Sequence, residues 1–108
     1  MTGSRVLLVD DDAQMRRSTA QALDLAGFAV EALASGEEAL TLAGPGFAGA
    51  VVSDIRMPGM DGLEFARRLR RLPSHRDIPI ILVTVVGDEP VVLVDFYGAS
   101  NYAKQQAG

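Results

Sequence analysis

Val51-Val52-Ser53-Asp54-Ile55-Arg56-Met57-Pro58-Gly59-Met60-Asp61-Gly62 is the stretch on which the reading of this chain turns. The short apolar run ahead of Asp54 has the character of a buried strand. Pro58, Gly59 and Gly62 then mark a turn, and Leu63 opens a helical pattern that Asp61 is placed to cap. Asp54 therefore falls where a strand ends and a loop begins, the edge at which open parallel sheets hold their ligands. Taken alone, a carboxylate there is a metal ligand, a nucleophile or a turn former.

Working outward, Arg5-Val6-Leu7-Leu8-Val9 is apolar on both faces, as a central parallel strand must be, and it runs into Asp10-Asp11-Asp12. From Ala13 to Ala26 the positions Met15, Ala22, Leu23 and Ala26 form one helical stripe, with Asp12 as cap and Gly27 as stop. Phe28 to Leu33 reads as a strand nearer the edge. Ser35 and Glu38 have the spacing of a capping box for a short helix that stops at Gly44-Pro45-Gly46. Beyond Asp54 a helix runs from about Leu63 to Leu72 and closes at Pro73, and Ile78 to Thr84 is a further buried strand. The order βαβαβαβ predicts a parallel sheet with helices on both faces.

After Thr84 the signals conflict. Pro90 suits the first turn of a helix, whereas Val91-Val92-Leu93-Val94-Asp95-Phe96-Tyr97 is β-branched and aromatic, the composition of a strand. Its place in the alternation favours a helix over Val91–Tyr97, with Asn101-Tyr102-Ala103 as a short final strand and too few residues left for a last helix.

Length and composition narrow the function classes. A chain of 108 residues builds one core. Net charge is −4, and nine of the ten basic residues are Arg with Lys104 the lone Lys, so a nucleic-acid partner is not expected. No apolar run nears the ~20 residues of a membrane span. Without a signal-peptide pattern the expected location is cytoplasmic, and with no Cys there is no thiolate chemistry. Gly44-Pro45-Gly46-Phe47-Ala48-Gly49 matches a dinucleotide-loop pattern by letter but lies between helix and strand, the reverse of the required context.

Three strand ends converge on one edge of such a sheet: Asp10 and Asp11, then Asp54, then Thr84. Carboxylates brought together repel one another and raise each other's pKa unless a cation intervenes. Mg²⁺ takes oxygen ligands, often one or two carboxylates with phosphate oxygens. The grouping therefore suits Mg²⁺ and a phosphoryl group, with an Asp as nucleophile and the Thr84 hydroxyl on an equatorial oxygen.

The same residues carry a resemblance. Val9 to Arg17, Asp54 to Gly62 and Ile80 to Thr84 together resemble the receiver domain of bacterial two-component response regulators. The resemblance implies an α/β, flavodoxin-like (CheY-like) fold: a doubly wound parallel five-stranded sheet of order 2-1-3-4-5, here with the last helix missing and the fourth atypical. It implies one receiver domain over residues 1–108, altered after about residue 85. Asp54 becomes the phosphoacceptor, served by a sensor histidine kinase as partner. Asp11 becomes a direct Mg²⁺ ligand, joined by Asp54, by Asp10 directly or through water, and by the backbone carbonyl of Arg56. Thr84 and Tyr102 become the switch hydroxyl and switch aromatic, and Lys104 the candidate cation for the phosphoryl oxygens. Such a domain is a signalling module and not an enzyme in its own right.

Three departures from the family pattern stand out. The position after Thr84, small in most receivers, is Val85. The usual Lys position, three after the aromatic, is Gln105, with Lys104 one residue early. The last helix is missing, and the C-terminal side of the sheet it leaves uncovered predicts self-association as a homodimer. These departures support a rival reading, a degenerate or engineered receiver-like domain that acts only as a protein-interaction module. A haloacid-dehalogenase-type phosphatase would need an Asp two residues after the nucleophile, where this chain has Arg56.

Overall fold

Side-chain caps set the helix starts where the sequence places them. Asp12 accepts hydrogen bonds from the N–H groups of Gln14 and Met15 at 2.9 and 3.1 Å, and Asp61 accepts from Glu64 N–H at 2.8 Å. Ser35 Oγ accepts from Glu38 N–H at 3.2 Å, while the Glu38 carboxylate reaches back to Ala34 N–H at 3.1 Å, one residue earlier than in the usual reciprocal box. The computed structural model describes residues 4–43, 47, 49–72 and 78–95. The elements are β1 (Arg5–Val9), α1 (Ala13–Leu25), β2 (Ala29–Leu33), α2 (Gly36–Leu42), β3 (Ala50–Asp54), α3 (Gly62–Arg71), β4 (Ile80–Val86) and β5 (Glu89–Asp95).

The five strands form one sheet of order β2-β1-β3-β4-β5, as the resemblance implies. β1 pairs in parallel with β2 and β3, and β3 with β4. Strand alternation divides the apolar residues between two faces. Leu7, Val9, Val51, Ile80 and Leu82 are fully buried against Ala39 of α2 and Phe65, Ala66 and Leu69 of α3. The opposite face is served by α1, which buries none of its residues completely. There Leu8 is buried, Val52, Ile81 and Val83 are half-buried, and Val85 is 50% exposed. Met15, at the start of the expected apolar stripe, is 52% exposed.

The fifth strand corrects two expectations. Residues 89–95 form a strand rather than the helix favoured over Val91–Tyr97, and β5 pairs with β4 antiparallel rather than parallel, from Val86↔Glu89 to Ile80↔Asp95. The fourth helix is thus replaced by a two-residue hairpin turn. Gly87 has φ +64°, and no non-glycine described residue has positive φ. Gly at the first central position followed by an ordinary residue is the signature of a type II′ turn, whose twist matches that of the strands. The β-branched run then follows its own preference, and a hairpin requires no crossover. The expected strand Asn101–Ala103 lies outside the described residues, as do Tyr102 and Lys104.

Candidate functional site

Hydrogen bonding at the carboxyl edge of the sheet holds the acidic residues in place. Asp10 leaves β1 with its N–H still bonded to the Leu33 carbonyl of β2 at 3.1 Å. Its carbonyl accepts from the Arg16 guanidinium at 2.8 Å, and its Oδ1 accepts from Asp12 N–H at 3.0 Å. Asp54 ends β3. Its Oδ1 accepts from Arg56 N–H at 3.2 Å, and the next N–H, that of Ile55, bonds to the Val83 carbonyl of β4 at 2.9 Å. The loop that follows is pinned from below by Met57 and Met60, both buried in the core. Its return is fixed by a 2.9 Å bond from Gly62 N–H to the Ile55 carbonyl. Gly62 packs so near Asp54 that an added Cβ would overlap the Asp54 carbonyl oxygen, so glycine is needed there for close approach. Gly59, at φ +75°, supplies the left-handed position within the turn.

These supports bring Asp10, Asp11 and Asp54 together, with one carboxylate oxygen of each lying within 4.8 Å of the others. Partial burial raises the pKa of Asp10, opposed by the Asp12 N–H and reinforced by the charges of Asp54, Asp11 and Asp12. Asp54 is raised for the same first reason, opposed by the Arg56 N–H and reinforced by Asp11. A shared divalent cation would relieve both desolvation and repulsion. The all-oxygen donor set suits a hard ion such as Mg²⁺.

A cleft of about 280 Å³ opens beside the cluster on the α1 side of the sheet. Asp10, Asp12, Asp54 and Thr84 stand along it with Leu8, Val52, Val83 and Val85, and Met15 and Thr19 face it from α1. Thr84, the expected switch residue, and the bulky Val85 after it thus line the same cleft as the expected acceptor. Asp12 is the α1 cap, as its sequence position implies. Arg56 is exposed and touches Asp54 through its backbone N–H. Sequence reasoning assigned no role to Arg16, whose guanidinium braces the Asp10 carbonyl. Its signal was the position one helical turn past Asp12, on the α1 flank facing the β1 end.

Comparison with known proteins bears on this arrangement. The family model of the response regulator receiver domain matches residues 6–102. The chain is 47% identical over 91 residues to the cyclic di-GMP phosphodiesterase response regulator RpfG of Xanthomonas campestris pv. campestris, covering 82% of this chain and 24% of that protein. It is 50% identical over 88 residues to the C4-dicarboxylate transport transcriptional regulatory protein DctD of Rhizobium meliloti, covering 82% of this chain and 19% of that one. The chain thus spans about a quarter or less of these two relatives. Among solved structures it is similar to the chemotaxis response regulator CheY4 of Vibrio cholerae, with TM-score 0.71 and 36% identity over 75% of this chain and 68% of that one.

Proposed function

Since the chain belongs to the response regulator receiver domain family, we propose that it receives a phosphoryl group from a sensor histidine kinase onto Asp54, for two-component signalling in the cytoplasm. The observation that carries this reading is the convergence of three carboxylates within 4.8 Å at the strand ends. In the proposed reaction one Asp54 oxygen attacks phosphorus. A P–O bond forms as the P–N bond of the kinase phosphohistidine breaks, and the leaving electron pair goes to the imidazole nitrogen, which takes a proton from water. The product is an acyl phosphate.

Asp54 is suited to this task because the Arg56 N–H holds Oδ1 and leaves the other oxygen free to attack. Asp10 is fixed by the Asp12 N–H, and Arg16 braces its backbone. Asp10, Asp11, Asp54 and the Arg56 carbonyl are the groups that would hold Mg²⁺. When bound, the ion would neutralise the carboxylates and polarise the phosphoryl oxygens. Thr84 lines the same cleft, and its hydroxyl would donate to an equatorial oxygen. Tyr102 and Lys104, both outside the described residues, remain assigned as switch aromatic and as cation. The domain turns over only its own phosphoryl group, so it is a signalling module. No helix among the described residues is long and apolar enough to cross a membrane.

The test is labelling by a small phosphoramidate donor with Mg²⁺, read by intact mass and by NMR with beryllofluoride. One phosphoryl group should add to the unmodified protein and none to Asp54→Asn, with beryllofluoride shifting Asp54 and Thr84 resonances. Lys104→Met should slow labelling. Failure of the unmodified protein to label, with kinase binding retained, would transfer the case to the interaction-module reading. The observation that favours that second reading is Val85, a β-branched residue lining the acceptor cleft where most receivers have a small one.

A further inference from the structure

The hairpin that replaces the fourth helix leaves β5 at the border of the sheet, and the register states which backbone groups face outward. A two-residue hairpin closes on a hydrogen-bonded pair, here Val86 with Glu89. Bonded and non-bonded pairs alternate along an antiparallel ladder. Val91, Leu93 and Asp95 therefore turn their N–H and C=O groups to β4, and Pro90, Val92 and Val94 turn theirs away. Pro90, which lacks an N–H, sits where none is needed. Among the described residues no backbone group partners the outward N–H and C=O of Val92 and Val94.

Exposed edges are ordinarily protected by charge, by a bulge or by brevity. Here the pairing with β4 is continuous over seven residues with no bulge, and Pro90-Val91-Val92-Leu93-Val94 carries no charge. Val92 is 58% exposed, on the same sheet face as the 50% exposed Val85.

We propose that this edge is self-complementary: β5 of a second copy adds to it antiparallel across a two-fold axis at Leu93, joining two five-stranded sheets into one. Two features select that register. An axis at Val92 would set the acidic residue Glu89 opposite the acidic residue Asp95, and like charges directly opposite are unfavourable. It would also set Pro90, without an N–H, opposite Val94. An axis at Leu93 sets Val92 opposite Val94 on both sides of the axis, so that every outward N–H and C=O of these two residues is bonded. Asp95 then faces Val91. The second copy is the fitting occupant because a two-fold contact requires a strand that matches itself in length, charge and hydrogen-bonding phase, and β5 does. The seam also covers part of the exposed Val92 side chain of each copy.

The experiment is amide hydrogen exchange with sedimentation on the intact chain at low and high concentration. Association should rise with concentration, and the Val92 and Val94 amides should become protected only when associated. Val91 and Leu93, bonded to β4, should be protected at both concentrations. Val92→Pro, which deletes one outward N–H per copy, should weaken association by about tenfold or more. Val92→Thr, which keeps that N–H and nearly the same shape, should change it far less. A chain that stays monomeric throughout would overturn the proposal. So would an associated form in which the Val92 and Val94 amides stay open, or one lost equally in Val92→Thr and Val92→Pro. If Val92→Pro disrupts the hairpin, seen as lost Leu93 protection, the exchange pattern of the unmodified chain decides the matter alone.

Discussion

Replacing Asp11 by Asn should stabilise the metal-free fold while removing its response to Mg²⁺. One carboxylate oxygen each of Asp10, Asp11 and Asp54 lies within 4.8 Å of the others. Two unit charges at that separation repel by about 0.9 kcal/mol in a medium as polar as water, and by several times more in a protein-like one. Asp11 takes part in two such pairs. Screening at ~0.1 M salt reduces each only in part, because the Debye length of ~10 Å exceeds the separation. Net relief at this partly exposed edge is therefore on the order of 1 kcal/mol, which for a domain of this size raises Tm by about 4–8 °C. Mg²⁺ at a hundred times its dissociation constant would add ~2.7 kcal/mol to the unmodified protein and nearly nothing to Asp11→Asn. Thermal unfolding in chelator and in excess Mg²⁺ should therefore cross over: the variant melts higher without metal, the unmodified protein higher with it. An unmodified protein whose midpoint ignores Mg²⁺ would refute the shared site. A variant no more stable in chelator would refute the repulsion.

The remaining predictions concern access and protonation. Val85 lines the acceptor cleft and is half exposed, so Val85→Ala and Val85→Gly should label Asp54 faster with a small phosphodonor; equal initial rates in all three proteins would remove steric restriction from the account. Asp10 and Asp54 have raised pKa values, so the metal-free folded state binds more protons than the unfolded one once pH exceeds the ordinary Asp value of about 3.9. Their contribution to stability should fall as pH rises from there through the raised values. Urea unfolding in chelator should show Asp10→Asn gaining on the unmodified protein across that window, and a constant difference would contradict the sign.

Where a local signal and its neighbours agreed, the sequence was enough. Val6 to Val9, Ala50 to Val52 and Ile80 to Leu82 are unbroken apolar runs, and only a strand between other strands buries both faces of such a run. Asp12, Ser35 and Asp61 precede helices at cap spacing and all three act as caps. The acidic cluster was legible because each member follows a strand that could be placed. β5 was misread because Pro90 fits two roles equally, the first turn of a helix and an outward position on an edge strand. The βα alternation then outweighed the β-branched composition of the run. The signal that would have corrected it was Gly87-Asp88 standing alone between two β-rich runs, the length and residue types of a type II′ hairpin.

The reversal of β5 changes what the rest of the chain can bring to the site. A parallel fifth strand would end at the carboxyl edge, beside Asp10, Asp54 and Thr84, and would deliver the residues after it directly to the phosphoryl position. The antiparallel β5 begins at that edge, with Glu89 paired to Val86, and ends at the opposite one, with Asp95 paired to Ile80. Seven residues of strand separate the two edges by about 23 Å. Lys104 follows Asp95 by nine residues, which span at most ~32 Å when fully extended. Chain length alone therefore does not bar Lys104, the only Lys of the chain, from the carboxylates, although it would have to cover the length of the sheet to reach them. A segment on that path over the α1 face would cross Ile81, Val83 and Val85, the side chains the fold leaves partly uncovered. If Lys104 supplies the cation for the phosphoryl oxygens, the residues before it must span that distance, so slowed labelling in Lys104→Met would report on the path of the chain as well as on its chemistry.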